Sequence, residues 1–381
     1  MTKPFEIVVI GAGIAGASVA AELARTHKVA QLEREEFPGY HSTGRSAALF
    51  SEIYGNAAVR ALSRASRDFF YAPPAGFSPD PLVKPRGALH IASEARREEL
   101  ETFAASADVG GAVRRLTRDE ALAACPVLRP EHVCAAVLET DAADVDVNGL
   151  HQAYLRNFRG AGGTLFTDCE VISLSRGGPC WEIRTARETV YANIVVNAAG
   201  AWADAVAAMA GASPLGIQPC RRTAILLELP AGISAENWPM VIDIDESFYM
   251  KPDAGLLLIS PADETPVEAC DVQPEELDVA IAIDRVETAT TLKIERIRKR
   301  WAGLRSFAPD RSPVIGYDGA VAGFFWLAAQ GGYGIQTAPA ASRLAAALVR
   351  GETLPTNIAD AELVAQLSPR RFSAARARSL A

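Results

Sequence analysis

Phe5-Glu6-Ile7-Val8-Val9-Ile10, followed by Gly11-Ala12-Gly13-Ile14-Ala15-Gly16, is the stretch that decides the fold. A short apolar run predicts a buried parallel strand, and the three glycines turn the chain into a helix. Gly11 serves the tight turn, Gly13 lets a pyrophosphate approach the backbone, and Gly16 lets helix and strand pack closely. The free N–H groups and positive end of that helix favour an anionic phosphate. The next strand, Lys28-Val29-Ala30-Gln31-Leu32, ends in Glu33, an acid placed to accept hydrogen bonds from a ribose. A glycine pattern alone is weak. The strand before it, the helix after it and the acid at the second strand's end together predict a dinucleotide site.

Beyond Glu33, the segment from Pro38 to Ala48 begins as a polar, turn-rich loop and becomes a run of small residues fit for a helix start. Small side chains let a bulky planar ring lie against the backbone, which points to something larger than a nicotinamide. A helix is expected over 57–72, a broken strand over 83–92, helices over 94–107 and 117–124, and a strand over 133–139. Thr117 and Glu120 form a capping box, and Asp146 caps a helix running to about Arg159. Four short β runs follow at 164–166, 170–175, 180–185 and 188–192, then a second apolar strand, Ile194-Val195-Val196, ending in Asn197-Ala198-Ala199-Gly200. A meander interrupting a dinucleotide-binding unit, followed by a strand that delivers a small-residue turn, distinguishes a two-dinucleotide-binding flavin fold. Segments at 221–229, 240–243, 247–251 and 256–260, with a helix over 274–291, predict an antiparallel sheet covered by helices. The strand Phe324–Ala328 leads through Gln330-Gly331-Gly332-Tyr333-Gly334-Ile335-Gln336-Thr337 to a helix at 338–350, again a glycine turn that brings backbone near a ligand. The expected class is therefore α/β: a Rossmann-like domain (1–80, 145–216 and 308–381) with an inserted α+β antiparallel-sheet domain for substrate (81–144 and 217–307).

Composition narrows the function. The 381 residues are 49% hydrophobic and 22% charged, with a formal net charge of −8, which describes a globular enzyme and argues against nucleic acid as a partner. The basic tail, Arg370 and Arg371 through Arg376 and Arg378, is expected to be a solvated terminal segment. Six scattered cysteines without a Cys-x-x-Cys pair fit reduced thiols, and five histidines without metal spacing predict no metal site. No run reaches the length of a membrane span and the first strand starts at once, so a cytoplasmic protein is expected.

Across essentially its whole length the chain resembles the FAD-dependent D-amino-acid oxidase and dehydrogenase superfamily, which also contains glycine oxidase and sarcosine oxidase. The markers are Gly11–Gly16, Glu33, Gly44-Arg45-Ser46, Asn197-Ala198-Ala199-Gly200-Ala201-Trp202, Gly303-Leu304-Arg305 and Gln330–Gly334. The runs Gly39–Ala48, Asp245–Tyr249, Trp301–Phe307 and Ala328–Thr337 are most similar to the bacterial D-arginine dehydrogenases. The resemblance implies noncovalent FAD and oxidative deamination of a D-amino acid by hydride transfer from Cα to the flavin, giving an imino acid that hydrolyses to a 2-oxo acid and ammonia. It places Arg222 and Arg305 on the substrate carboxylate with Tyr249 assisting, Tyr54 on a covering loop, and the Gly332 carbonyl near the amine. It places the cofactor against Gly11, Gly13, Ile14, Ala15, Gly16, Glu33, Arg34, Ser42, Thr43, Gly44, Arg45, Ser46, Ala47, Ala48 and Val171. Further cofactor contacts are implied at Ala199, Gly200, Trp202, Arg305, Gly331, Gly332, Tyr333, Gly334, Ile335, Gln336 and Thr337.

The residue types suit that chemistry. A carboxylate entering a low-dielectric pocket must be paired, and a guanidinium offers a planar two-donor fork. Two nearby arginines also disfavour the substrate's ammonium, from which hydride leaves less readily. Arg222 follows Arg221 on a strand, so one faces inward and one outward, and period two alone leaves open which. Lys251 reads as a solvated strand end. Leu49 and Ala88 depart from the D-arginine dehydrogenases, which carry a histidine and a glutamate there. A cationic side chain would then lack its acid, so neutral or apolar D-amino acids are the expected substrates, with Glu52 as the nearby acid able to compensate. The alternatives are oxidation of a secondary or N-methylated amino acid of the sarcosine, glycine or hydroxyproline type, and a flavin-binding subunit without turnover. The electron acceptor is left open.

Overall fold

The computed structural model describes residues 4–106, 112–355, 357–358 and 360–372; the tail arginines 376 and 378 lie outside the described residues. β1 (Phe5–Ile10) is buried over its last four residues, and Gly11, at φ +99°, turns the chain into α1 (Ile14–Ala24). β2 (Val29–Leu32) pairs parallel to β1, with Ile7 opposite Val29 and Ile10 opposite Leu32. The small-residue run 42–48 does not begin a helix. It makes turns and extended backbone leading into the short β3 (Leu49–Phe50). Its bonds give the reason: the Ser42 hydroxyl donates to the Leu304 carbonyl (2.7 Å), and the Arg45 guanidinium donates to the carbonyls of Val272 (2.9 Å) and Ala302 (3.1 Å). Distant partners thus satisfy the segment in place of a helical ladder.

α2 (Ala57–Tyr71) is capped by Asn56, whose side chain accepts from the Val59 N–H. β4 (Val83–Pro85) and β5 (Ala88–Ala92) are separated at Arg86-Gly87 and belong to different sheets. α3 (Arg97–Ala105), β6 (Val113–Thr117), α4 (Arg118–Ala124), β7 (Ala135–Glu139) and β8 (Ala143–Val145) follow, with the Thr117/Glu120 capping box in place on α4. α5 (Val147–Gly160) starts at its Asp146 cap. β9 (Thr164–Phe166), β10 (Val171–Gly177) and β11 (Cys180–Thr185) lead to β12 (Thr189–Asn197). The runs at 188–192 and 194–196 are one strand, its first half antiparallel to β11 and its second half parallel to β1.

After α6 (Ala203–Met209) come β13 (Gln218–Leu227), β14 (Met240–Asp243), β15 (Tyr249–Asp253), β16 (Leu256–Ser260) and β17 (Thr265–Pro266). α7 (Glu276–Ala289), β18 (Ile297–Phe307), β19 (Val314–Tyr317), β20 (Phe324–Ala328), α8 (Gly334–Arg350) and α9 (Ala361–Leu367) complete the described chain. α8 begins at Gly334, so Gly334–Thr337 form its first turn rather than a loop before it.

Two large sheets organise these elements. The first has eight strands in the order β10-β11-β12-β1-β2-β9, with β20 pairing β12 and β19. Its alternating side chains feed two cores: Ile7, Val9, Val196 and Phe325 pack beneath α1, α5 and α8, while Val8, Ile10, Val195 and Trp326 meet α6 and the β10–β11 hairpin. The second has nine strands, in the order β17-β13-β16-β15-β14-β5-β7-β6 with β18 on β13. It is antiparallel except for the parallel pair β5–β14, so the expected antiparallel sheet is mixed at that point. One face of this sheet, with Leu89, Ile91, Val241, Met250 and Ile259, is packed under Val279, Ala282 and Val286 of α7. Period two turns the other face toward the first sheet, and the cavity described below lies there.

Candidate functional site

A continuous cavity runs from the C-terminal ends of β1, β2 and β12 to the face of the nine-stranded sheet that is turned away from α7. At its first end lie Gly11, Gly13, Ile14, Ala15, Glu33 and Arg34. An added Cβ at Gly11 would stand 2.4 Å from the Ala198 carbonyl oxygen, so two strand ends meet there with no room for a side chain. Gly16 does not line the cavity; its added Cβ would fall 1.9 Å from the Gly11 oxygen, which makes it the packing glycine of the turn. Gly13, the N-cap of α1, lines the cavity and brings no side chain over the first turn, whose Ile14 N–H is held by Thr43. Glu33 is buried and accepts from the N–H groups of Ala12 (2.8 Å) and Glu35 (3.0 Å), which holds its carboxylate at the cavity wall.

Ser42, Thr43, Arg45, Ser46, Ala47 and Ala48 line the middle of the cavity, with Val171, Ala199, Gly200 and Trp202 around it. Thr43 fixes this segment to α1 by accepting from the Ile14 N–H (2.9 Å). Gly44 lies behind the wall and donates its N–H to the Gly39 carbonyl (2.7 Å). From the last strand end, Gly331, Gly332, Gly334, Ile335 and Gln336 reach the cavity, whereas Tyr333 and Thr337 do not. Tyr333 packs edge-on against the Tyr54 ring at 5.0 Å, and the Thr337 hydroxyl donates to the Tyr333 carbonyl (2.8 Å).

At the sheet end, Arg222, Tyr249, Arg305, Tyr54 and Gly332 come together. The Arg305 guanidinium donates to the Tyr54 hydroxyl (3.0 Å), and among the described residues no carboxylate lies within ion-pair distance of it. An added Cβ at Gly332 would stand 2.7 Å from Arg305 Nη1, so only glycine leaves the guanidinium its place. Burial works against the Arg305 charge, but Tyr54, Tyr249 and Glu264 more than offset it, and its pKa lies above the ordinary arginine value. Burial would also raise the Tyr249 phenol; the Arg222 and Arg305 guanidiniums outweigh it and hold that group below the usual tyrosine value.

Arg221 and Arg222 do leave β13 on opposite faces, but neither is solvated. Arg222 enters the cavity, donating to the Asp263 carbonyl (2.7 Å) and Glu264 (3.0 Å). Arg221 is covered by α7, where Asp278 (2.9 Å) and Glu275 pair with it. Lys251 is likewise no solvated strand end. It is buried, 2.8 Å from Asp144, whose other oxygen accepts from Arg86 Nε (2.7 Å), because the cavity-side face of the sheet is covered there. Glu52 ion-pairs with Arg67 (3.4 Å) and does not line the cavity, so it is not the acid facing a substrate side chain. Besides Glu33 and Glu170, the acid that lines the cavity is Glu246, exposed at left-handed φ +53°.

Sequence reasoning missed four further residues, Met240, Ile242 and His90 in the wall and Glu139 behind it. Met240 and Ile242 of β14 and His90 of β5 line the wall beside Tyr249, which the period-two pattern of the strands they occupy would have shown. Burial pushes the His90 imidazole down to about 4, so it is neutral near pH 7. Glu139 is buried behind the loop that carries Tyr54: its carboxylate accepts from the Ser51 hydroxyl (2.7 Å) and the Glu52 N–H (2.8 Å). Gln336 holds the same loop by donating to the Ser51 carbonyl (3.1 Å) and the Ser63 hydroxyl (2.7 Å).

Burial raises the Glu139 carboxyl to about 7 against the bonds from Ser51 and Glu52, with Glu52 and Asp141 adding to the rise. A folded-state value above the unfolded one means stability that is fully present below the unfolded pKa and lost as pH rises through about 7. Glu139→Gln keeps an acceptor and a donor but carries no charge. Thermal or urea unfolding should therefore show the variant gaining on the wild type between pH 5 and pH 8, by on the order of 2–3 kcal/mol. A difference that does not change with pH would remove Glu139 from this role.

Comparison with known proteins bears on this geometry. The family described as FAD dependent oxidoreductase (DAO) matches residues 6–348. A glycine oxidase from Geobacillus kaustophilus is 26% identical over 369 residues, covering 93% of this chain and 95% of that protein. Among solved structures, L-proline dehydrogenase from P. horikoshii superposes with a TM-score of 0.82 at 25% identity, covering 98% of this chain and 99% of that one. The glycine oxidase from Geobacillus kaustophilus superposes with a TM-score of 0.81 at 23% identity, covering 95% and 98%.

Proposed function

From the premise that the chain belongs to the FAD-dependent oxidoreductase family, with FAD as its cofactor, we propose that it oxidatively deaminates D-amino acids whose side chains are neutral or apolar. The cavity fits the cofactor: the Gly11–Gly13 turn, a helix N-terminus whose Gly13 cap brings no side chain, a buried Glu33 and a long wall of small residues lead from one strand end to the next. When bound, FAD supplies the acceptor for the hydride that leaves Cα. The residues of the chain do the rest. In this reading residues 1–80, 145–216 and 308–381 hold the cofactor, and residues 81–144 and 217–307 hold the substrate.

The observation that carries the proposal is Arg305, a guanidinium in the cavity wall that lacks a carboxylate partner among the described residues. A substrate carboxylate completes it through two parallel donors, and Arg222 and the Tyr249 hydroxyl bound the same space. Arg222 is already half neutralised by Glu264, so it orients more than it attracts. The Gly332 carbonyl is the acceptor proposed for the substrate amine, and the positive wall favours the neutral amine from which hydride departs. Tyr54, on the loop held by Glu139 and Gln336, covers the site and steadies Arg305. Leu49 in the wall, with Ala88 buried and outside it, sets no acid near the side chain and favours neutral substrates.

Anaerobic mixing of the holoenzyme with D- and L-amino acids, followed at the flavin absorbance band, tests the proposal: neutral D-amino acids should bleach it faster than D-arginine. Faster reduction by D-arginine or by L-amino acids would overturn the stated preference. Likeness to a glycine oxidase over nearly its whole length favours a second reading, oxidation of glycine or an N-methylated amino acid. Sarcosine bleaching with formaldehyde release, in place of ammonia from D-amino acids, would select it. Within the first reading, Tyr54→Phe should raise KM roughly 5- to 30-fold, since a hydrogen bond to a buried cation is worth about 1–2 kcal/mol. An unchanged KM would free Tyr54 of that role.

A further inference from the structure

We propose that His90 reads the far end of the substrate side chain, selecting neutral chains long enough to reach it over both short and cationic ones. The inference rests on the amino-acid reading above and adds to it a residue and a length.

The register of the nine-stranded sheet carries the argument. His90 stands opposite Ile242 on β14, and Ile242 opposite Tyr249 on β15. All three line the cavity, so they form one cross-strand row on its wall. Leu89 and Ile91 point the other way into the core beneath α7, which fixes the direction of His90 by period two. Neighbouring strands lie 4.7–4.9 Å apart, placing the His90 strand roughly 10 Å from that of Tyr249. A substrate held by its carboxylate at Tyr249 and Arg305 has its Cα within the first few ångströms of that span. About four heavy atoms beyond Cα, at bond lengths near 1.5 Å, cover roughly the remaining 5 Å. Ile242 lies between and supplies apolar contact for the stem.

The chemistry of the row's end follows from its surroundings. The His90 ring packs against Phe103, centroids 4.8 Å apart, which fixes its orientation. Among the described residues neither ring nitrogen has a hydrogen-bond partner. A neutral imidazole offers one donor and one acceptor, suited to an amide or thioether terminus. It has no charge to offset a buried ammonium or guanidinium, whose desolvation stays uncompensated. Glu246 reaches the cavity only from an exposed position, where solvent and salt screen it.

The test titrates anaerobic flavin reduction of the holoenzyme with D-alanine, D-leucine, D-methionine, D-glutamine and D-lysine. Wild type, His90→Ala and His90→Glu are compared. His90→Ala should lower kcat/KM for D-methionine and D-glutamine about tenfold, through KM, and leave D-alanine within twofold. His90→Glu should raise D-lysine relative to D-leucine at least tenfold. Equal losses on every substrate, or no change in the profile, would overturn the role of His90 while leaving the amino-acid reading intact. If no amino acid bleaches wild-type flavin, the amino-acid reading fails and this inference fails with it. Should His90→Glu not fold, the length series with His90→Ala decides the matter alone.

Discussion

An Arg305→Ala enzyme is expected to purify with a full complement of FAD and to bind substrate two to three orders of magnitude more weakly. The reason is the imbalance at this guanidinium: its partner is the Tyr54 hydroxyl, and no carboxylate among the described residues neutralises it. A carboxylate leaving water for this pocket needs that charge, and removing one partner of a desolvated pair costs about 3–5 kcal/mol. The Arg222→Ala variant makes the contrast. Arg222 already donates to the Asp263 carbonyl and to Glu264, so its loss leaves that carbonyl without its donor, while Glu264 keeps Arg311, and it should lower Tm more while weakening substrate less. For Arg305→Ala the Tm should fall less than for Arg222→Ala, because Arg305 gives up one hydrogen bond, to Tyr54, and no ion pair among the described residues. Anaerobic flavin-reduction titration gives the affinity and the visible spectrum gives the FAD content. Retained affinity would take Arg305 out of the site.

The parallel core was legible because its signals are local. A buried run, three glycines at fixed spacing and a terminal acid each act within a few residues, and β1, α1 and β2 formed where they were expected. The small-residue run 42–48 was misread for the opposite reason. Ser42 and Arg45 are satisfied by carbonyls more than 200 residues away, and no local pattern reports such partners. Lys251 failed in the same way: its position at a strand end looked solvated until Asp144, from a separate small sheet, closed over it. Glu52 and Glu246 show the limit for specificity. Both are acids near the site in sequence, but an ion pair with Arg67 turns one away and a left-handed backbone sets the other at the wall.

Replacing the glycines of the opening turn one at a time should separate their functions. Gly16→Ala places a Cβ 1.9 Å from the Gly11 carbonyl oxygen, an oxygen also held by Gln31 Nε2 at 3.0 Å. Backbone cannot yield there without lifting α1 off the sheet, so a stability loss of about 3 kcal/mol or more is expected, with flavin content at purification falling at least tenfold. Gly11→Ala adds strain at φ +99° to a contact of 2.4 Å with Ala198, and should behave alike. Gly13→Ala is different in kind. Its backbone is extended, at φ −69°, and the added Cβ would meet the Thr43 hydroxyl at 3.2 Å, a side chain that can shift. That hydroxyl is buried and bonded to the Ile14 N–H, so apo-protein stability should fall by about 1 kcal/mol, well short of the loss at Gly16. If the phosphates lie at this helix end as proposed, the new methyl stands in their way, and FAD affinity should fall by at least tenfold. Unfolding curves of the apo forms, set beside flavin absorbance per protein, distinguish the two classes. Loss of stability without loss of FAD in Gly13→Ala would show that the turn is a packing device there too, and that the phosphate lies elsewhere.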